Sequence, residues 1–180
     1  FNQFFKRKKI NIPSSTFSSR MIAKPIFGRG GKNIFKINNK NDYLFFKKNK
    51  NFILQKLIVG KEYTVDCLFD NKGKLLFSLP RERIVEKGVS IVGKITKSKR
   101  IEIFIKKISK KLSFNGPINV QLIIDKKKKI WLIEINPRLS GSIEFSIKSG
   151  FNPFLYYLNK KYVSKIKYGK VFSRYLNISK

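Results

Sequence analysis

Glu134 and Asn136 stand two residues apart in Ile130-Trp131-Leu132-Ile133-Glu134-Ile135-Asn136-Pro137-Arg138, a run that otherwise reads as a buried strand. Side chains alternate along a strand, so Glu134 and Asn136 share one face and Ile133 and Ile135 the other. A carboxylate withdrawn from water costs several kcal/mol unless a cation or hydrogen-bond donors compensate it. An acid and an amide presenting only oxygen ligands suit a hard cation such as Mg²⁺ or Mn²⁺. A strand ending at a turn, with Glu134 paired to a lysine, would account for the same residues. Acidic residues are scarce, 10 against 41 Lys and Arg, which makes this one conspicuous.

The preceding apolar run, Ile118-Asn119-Val120-Gln121-Leu122-Ile123-Ile124-Asp125, is separated from it by Lys126 to Lys129. A tight turn centred on Lys127-Lys128 would fold the two into an antiparallel hairpin. In that register Gln121 lies opposite Glu134 and Asn119 opposite Asn136, about 4.5–5.5 Å apart. The four side chains then form one polar cluster on one face of an apolar hairpin. That is what a metal–phosphate site requires.

A second feature is Gly28-Arg29-Gly30-Gly31-Lys32, with Lys24 just before it. Glycines let backbone N–H groups approach a phosphate closely, and the basic residues add charge. The run lacks the ending of a P-loop and is not a dinucleotide fingerprint. A plain turn between strands remains an alternative reading of it.

These residues need elements to hold them. Strands are expected over Met21–Pro25, Ile34–Ile37 and Phe52–Ile58, with a short helix over Asp42–Lys48. Glu62–Phe69 and Leu75–Pro80 read as a hairpin around Asn71-Lys72-Gly73-Lys74. Ile101, Ile105, Ile108 and Leu112 recur at helical spacing and mark a helix over 98–112. Gly141–Gly150 is expected to be a short helix closed by its glycine, and Phe154–Tyr162 another. Phe1–Lys9 reads as the end of an amphipathic helix. The class is α+β, hairpins dominating and helices packed on them.

Composition limits the function. A length of 180 residues and 42% hydrophobic content suit one domain or two small lobes. No run approaches the roughly 20 apolar residues of a membrane span, and no secretory signal is visible, so a cytoplasmic protein is expected. With no histidine and only Cys67, histidine bases, histidine metal sites and intramolecular disulfides are excluded. The net charge of +31 suggests polyanions. Yet the lysines are dispersed, and alanine occurs once, at Ala23, so the charge reads mainly as drift on solvated faces, with only non-specific nucleic-acid binding expected.

Ile22-Ala23-Lys24-Pro25, Gly28-Arg29-Gly30-Gly31, Gln55-Lys56-Leu57-Ile58-Val59-Gly60-Lys61-Glu62-Tyr63-Thr64-Val65-Asp66, Gly116-Pro117-Ile118-Asn119-Val120-Gln121 and Ile133-Glu134-Ile135-Asn136-Pro137-Arg138 follow one another in the order of the ATP-grasp fold. Taken together they resemble that family, and within it the carbamoyl-phosphate synthase large-subunit type, over roughly residues 1–154.

The resemblance implies ATP in a cleft between two α+β lobes, 1–58 and 59–180. It implies that Lys24 contacts the phosphates, and that Gly28, Arg29, Gly30 and Gly31 close over them. The backbone of Gln55, Lys56, Leu57 and Ile58 would read adenine, with Gln55 standing where many members carry an acid, and Glu62 would hold the ribose. Gln121, Glu134 and Asn136 would bind Mg²⁺ or Mn²⁺, and Arg138 would stabilise the transferring phosphoryl group. Arg81 or Arg83, in Pro80-Arg81-Glu82-Arg83, would clamp a substrate carboxylate through a bidentate fork. The implied activity is a ligase that activates a carboxylate as an acyl-phosphate for attack by an amine or another nucleophile.

Members of the family also carry an amino-terminal α/β domain and a further phosphate-binding lysine before the position of Phe1. An amino-terminally truncated chain completed in cis or in trans is therefore expected, and a homo-oligomer stays open. The alternatives are a fragment that binds nucleotide without catalysis, and a basic nucleic-acid-binding protein.

Overall fold

The computed structural model describes residues 10–28, 31–87 and 89–175. Phe1–Lys9, expected to end a helix, lie outside them. Among the described residues two antiparallel sheets carry the architecture. The smaller has the order β2-β1-β3, with β1 at Met21–Pro25, β2 at Phe35–Ile37 and β3 at Phe52–Lys56. Helix α1, Lys40–Lys48, covers one face of it. Asn39 caps that helix by accepting from the Asp42 N–H at 2.9 Å, while Asp42 accepts from the Asn38 N–H. Met21, Ala23, Ile37 and Leu54 form the small core, with Tyr43 and Phe46 of α1 packed on it.

The larger sheet has the order β8-β7-β4-β5-β6-β9. Its strands are β4 Gly60–Phe69, β5 Leu75–Lys87, β6 Val89–Ile95, β7 Gly116–Asp125, β8 Ile130–Asn136 and β9 Val171–Ser173. Helix α2, Lys99–Ser109, is capped by Ser98 and buries Ile101, Ile105 and Ile108, the stripe that its spacing predicts. That stripe packs against Val65, Cys67 and Phe69 of β4, Ile118, Val120 and Leu122 of β7, and Leu132 of β8.

Ile10 and Ile12 join this same core, and the Asn11 carbonyl accepts from the Leu132 N–H at 2.8 Å along the outer edge of β8. The stretch 10–12 thus packs with the second sheet rather than with the lobe of 1–58. The opposite face of the larger sheet is partly covered by α3, Ile143–Ser149, and α4, Phe154–Tyr157. Leu68, Leu79, Ile95 and Phe151 form the core there. Gly150 closes α3 in the left-handed region, φ 112°, as expected.

Several elements differ from the sequence reading. Pro80 does not end β5: it lies opposite Val65, and beyond it the strand pairs with β6 through Arg81↔Ile95. Phe154–Tyr162 is helical only to Tyr157, because Asn159 turns left-handed at φ 53°. β3 stops at Lys56 rather than Ile58. β6 and β9 are not among the expected strands, and each enters the sheet through its neighbour's ladder.

Candidate functional site

The hairpin of β7 and β8 pairs Gln121 with Glu134 and Asn119 with Asn136, the expected register, although the turn differs. The loop has three residues, 126–128, closed by the Asp125 N–H donating to Lys129 at 3.1 Å, with Lys128 left-handed at φ 63°. Near the turn the pairs are Ile124↔Ile130 and Leu122↔Leu132, and the next is Gln121↔Glu134. Ile133 is therefore a bulge that inserts one residue into β8. Were Ile133 held in a regular ladder instead, alternation would place Glu134 on the face of Ile130 and Leu132, inside the core. The bulge moves Glu134 and Asn136 to the opposite face and leaves Ile135 against the core.

That face is polar across three strands. On β4, Thr64 lies opposite Gln121 and Asp66 opposite Asn119. Gln121, Glu134 and Asn136 are half-buried, and Asn119 is buried. Asn119 Oδ1 and Asn136 Nδ2 are withdrawn from solvent with no protein partner. No group of three Asp, Glu, Cys or His side chains gathers among the described residues. One carboxylate with amide oxygens is too little for a free-standing divalent site. It fits a Mg²⁺ that brings phosphate ligands with it.

The small sheet supplies the cation. Met21 and Ala23 of β1 face the core under α1, which turns Lys24 to the other side of the sheet. Burial pushes the Lys24 ammonium below its ordinary pKa, and the charge of Glu134 acts against that shift. Two residues from separate sheets thus come within electrostatic reach. Gly28 and Gly31 are exposed, and Gly31 is left-handed at φ 70°. Arg29 and Gly30 lie outside the described residues.

Gln55 is buried opposite Ile22, on the Lys24 side of β3. The N–H groups of Lys56 and Leu57 are already taken by the carbonyls of Ser14, at 2.7 Å, and Arg20, at 2.9 Å. The expected reading of an adenine edge along Gln55–Ile58 would therefore have to use the other backbone groups of that segment. Glu62 lies at the start of β4, its carboxylate engaged by Arg83 at 3.3 Å, while Lys61 pairs with Glu82 at 2.8 Å.

Arg81 departs from expectation. It is fully buried, ion-paired to Asp66 at 3.3 Å, and bonded to Ser140 Oγ at 3.2 Å. A guanidinium so enclosed cannot clamp an incoming carboxylate in this arrangement. Strand alternation carries Arg81 inward under α3. Arg83, two residues on, faces Glu62 instead. Arg138 is exposed on the turn after β8 and donates to its neighbour's carbonyl, Leu139, at 2.9 Å.

Sequence reasoning missed Asp66, Ser140, Ser146 and Arg174. The alternation of Glu62, Thr64 and Asp66 along β4 was the available signal for the first. The others become neighbours only through the long return of α3 and β9. A shallow depression of about 560 Å³ on α1, lined by Asn41, Leu44, Phe45, Lys48 and Asn49, lies across the small sheet from Lys24 and offers no such ligand set.

A family model described as an ATP-grasp domain matches residues 1–142. Carboxyaminoimidazole ribonucleotide synthase from Aspergillus clavatus, complexed with ATP, is similar in structure at TM-score 0.72 and 13% identity, over 94% of this chain and 54% of that one. L-amino acid ligase from Bacillus licheniformis is similar at TM-score 0.62 and 15% identity, over 83% and 42%. Biotin carboxylase from Campylobacter jejuni gives TM-score 0.65 and 14% identity, over 82% and 41%. These likenesses are of fold, and the chain spans about half the length of the solved structures it matches.

Proposed function

The chain belongs to the ATP-grasp family, and from that premise we propose that it carries the Mg-ATP-handling part of a carboxylate ligase. What carries this reading is that Glu134 of one sheet acts electrostatically on the half-buried Lys24 of the other, with Gln121 paired to Glu134 and Asn136 two residues further along β8. A cation for phosphate and oxygen ligands for a divalent ion face each other across the two lobes. The solved structures of similar fold include a synthase complexed with ATP, an L-amino acid ligase, and a biotin carboxylase in a β,γ-ATP complex.

In this reading Lys24 holds the phosphates, and the glycine-rich loop bounded by Gly28 and Gly31 is the one expected to close over them. Gln121, Glu134 and Asn136 hold Mg²⁺, which when bound neutralises charge on the phosphate oxygens. Gln55–Ile58 line the adenine, and Glu62 meets the ribose hydroxyls. A carboxylate oxygen of the substrate attacks the γ-phosphorus, the bond to the β–γ bridging oxygen breaks, and ADP leaves. Arg138, exposed beside the site, offers its guanidinium to the charge that develops. An amine or another nucleophile then attacks the acyl carbon, and phosphate departs. No step needs histidine. The finer likeness to the carbamoyl-phosphate synthase type, and a further domain supplied in cis or in trans, belong to the same proposal.

Calorimetry with a non-hydrolysable ATP analogue tests it, with and without Mg²⁺, on the wild type and Glu134→Ala at about physiological ionic strength. Mg-dependent binding that the substitution abolishes is expected. Equal, salt-sensitive binding by both proteins would reduce the affinity to attraction of polyphosphate by a chain of net charge +31.

A further inference from the structure

Arg138 rides on a short segment between the end of β8 and the start of α3. Two arginines grip that segment from opposite sides. From the sheet, fully buried Arg81 donates to Ser140 Oγ at 3.2 Å and pairs with Asp66, whose Oδ2 also accepts from Ser146 Oγ at 2.6 Å. From the edge, Arg174 follows β9 and is fixed there by its own N–H bonding to the Ile91 carbonyl at 2.9 Å. Its guanidinium donates to the Gly141 carbonyl at 2.6 Å and, through Nε, to Glu144 at 2.8 Å. Phe145 lies between the two, with the Arg81 guanidinium 5.4 Å and the Arg174 guanidinium 6.0 Å from its ring centre.

A buried ion pair is a costly way to fill a core, because apolar side chains of similar volume stabilise as well or better. Its advantage is directional: it holds particular partners in particular places. Here the partners are Ser140 and Ser146, which flank the turn into α3. Ser140 is two residues from Arg138, whose N–H donates to the Asn136 carbonyl at 2.8 Å and whose guanidinium donates to the Leu139 carbonyl at 2.9 Å.

We propose that Arg81 and Arg174 are positioning residues for Arg138, clamping residues 138–146 so that its guanidinium is presented to the transferring phosphoryl group. The proposal rests on the ligase reading for what Arg138 does. The clamp itself stands on the contacts alone. It also gives the carboxy-terminal strand β9 a task in the site, through a residue remote from it in sequence.

Two mild variants test it without emptying the core. Ser140→Ala removes the acceptor for Arg81 and leaves the Asp66 pair in place. Arg174→Gln removes the outer grip at a partly exposed position. Hydrogen exchange of the amides of Arg138 to Ser142 is expected to accelerate in both, and unchanged exchange would overturn the clamp.

The affinity for Mg-ADP with aluminium fluoride, a mimic of the transferring group, is then compared with that for Mg-ADP alone. Arg138→Ala is expected to weaken the former roughly ten-fold. Ser140→Ala and Arg174→Gln should weaken it several-fold and spare Mg-ADP. In the Arg138→Ala background they should add nothing. Equal penalties in both backgrounds would mean a general structural role and overturn the positioning role. Should the wild type bind no nucleotide, the ligase reading fails, and the exchange rates still decide the clamp.

Discussion

Lys24 of β1 and Glu134 of β8 sit in different sheets, and the carboxylate of one acts on the ammonium of the other. Burial lowers the Lys24 pKa below 10.5, and Glu134 resists the shift. The unfolded chain therefore binds more protons at this position between the lowered value and 10.5. Stability contributed here rises with pH across that window, and the cost of the buried charge is carried in full below it. Glu134→Gln removes the opposing influence, so Lys24 should titrate at still lower pH. NMR of the Lys24 ε-methylene, assigned with Lys24→Met, measures this. An unmoved titration would mean that the two side chains do not interact.

The same lysine predicts the pH dependence of nucleotide binding. Phosphates beside Lys24 favour its charged form and raise its pKa in the complex. Binding then takes up a proton, and affinity falls as pH rises through the lowered pKa of the free protein. Calorimetry in buffers of different ionisation enthalpy should register the uptake, and Lys24→Met should abolish it.

Ile133 is accommodated as a bulge, and that bulge decides which face Glu134 occupies. Deleting Ile133 makes Glu134 the direct successor of Leu132, so strict alternation keeps Glu134 opposite Gln121 on the polar face. Mg-dependent binding of an ATP analogue should therefore survive the deletion, and calorimetry checks it. Loss of that binding at an unchanged urea midpoint would show that the bulge itself shapes the ligand geometry.

The hairpin also shows how far the residue pattern reaches. The pairing of Gln121 with Glu134 was legible from spacing, yet the expected two-residue turn is a three-residue loop with Lys128 left-handed. One residue added in the loop and one at the bulge cancel, so the register at the site survives. Periodicity located α2, while α1 begins two residues earlier than the expected Asp42, where Asn39 caps its first turn. Pro80 hid the length of β5, because a residue without an N–H reads as a strand end. Arg81 was the deeper failure. Its charge and its neighbours advertise a ligand contact, and only the packing of α3 over β4 and β5 makes it a buried partner of Asp66. Such long-range burial leaves no local trace in the chain.

Cys67 should be chemically silent in the folded protein. It is 2% exposed in the core under α2, where burial, and then the charge of Asp66, push its thiol well above the usual range. The thiolate is the reactive form, so a thiol reagent should modify the native protein only as fast as it opens. Modification should be immediate in denaturant. Rapid labelling of the native state would contradict the packing of β4 against α2.

Glu62 and Arg83 form a pair, 3.3 Å apart, at the mouth of the polar face, with 39% of the Glu62 side chain exposed. Only 13% of the Arg83 side chain is exposed, so the pair is open to water on its Glu62 side alone. The proposed role of Glu62 is different in kind, since it would accept hydrogen bonds from ribose hydroxyls. Glu62→Ala should therefore weaken binding of an ATP analogue by about 1–3 kcal/mol, while binding of the 2′,3′-dideoxy analogue, which lacks those hydroxyls, should not change. Equal loss for both sugars would assign Glu62 to holding Arg83 rather than nucleotide.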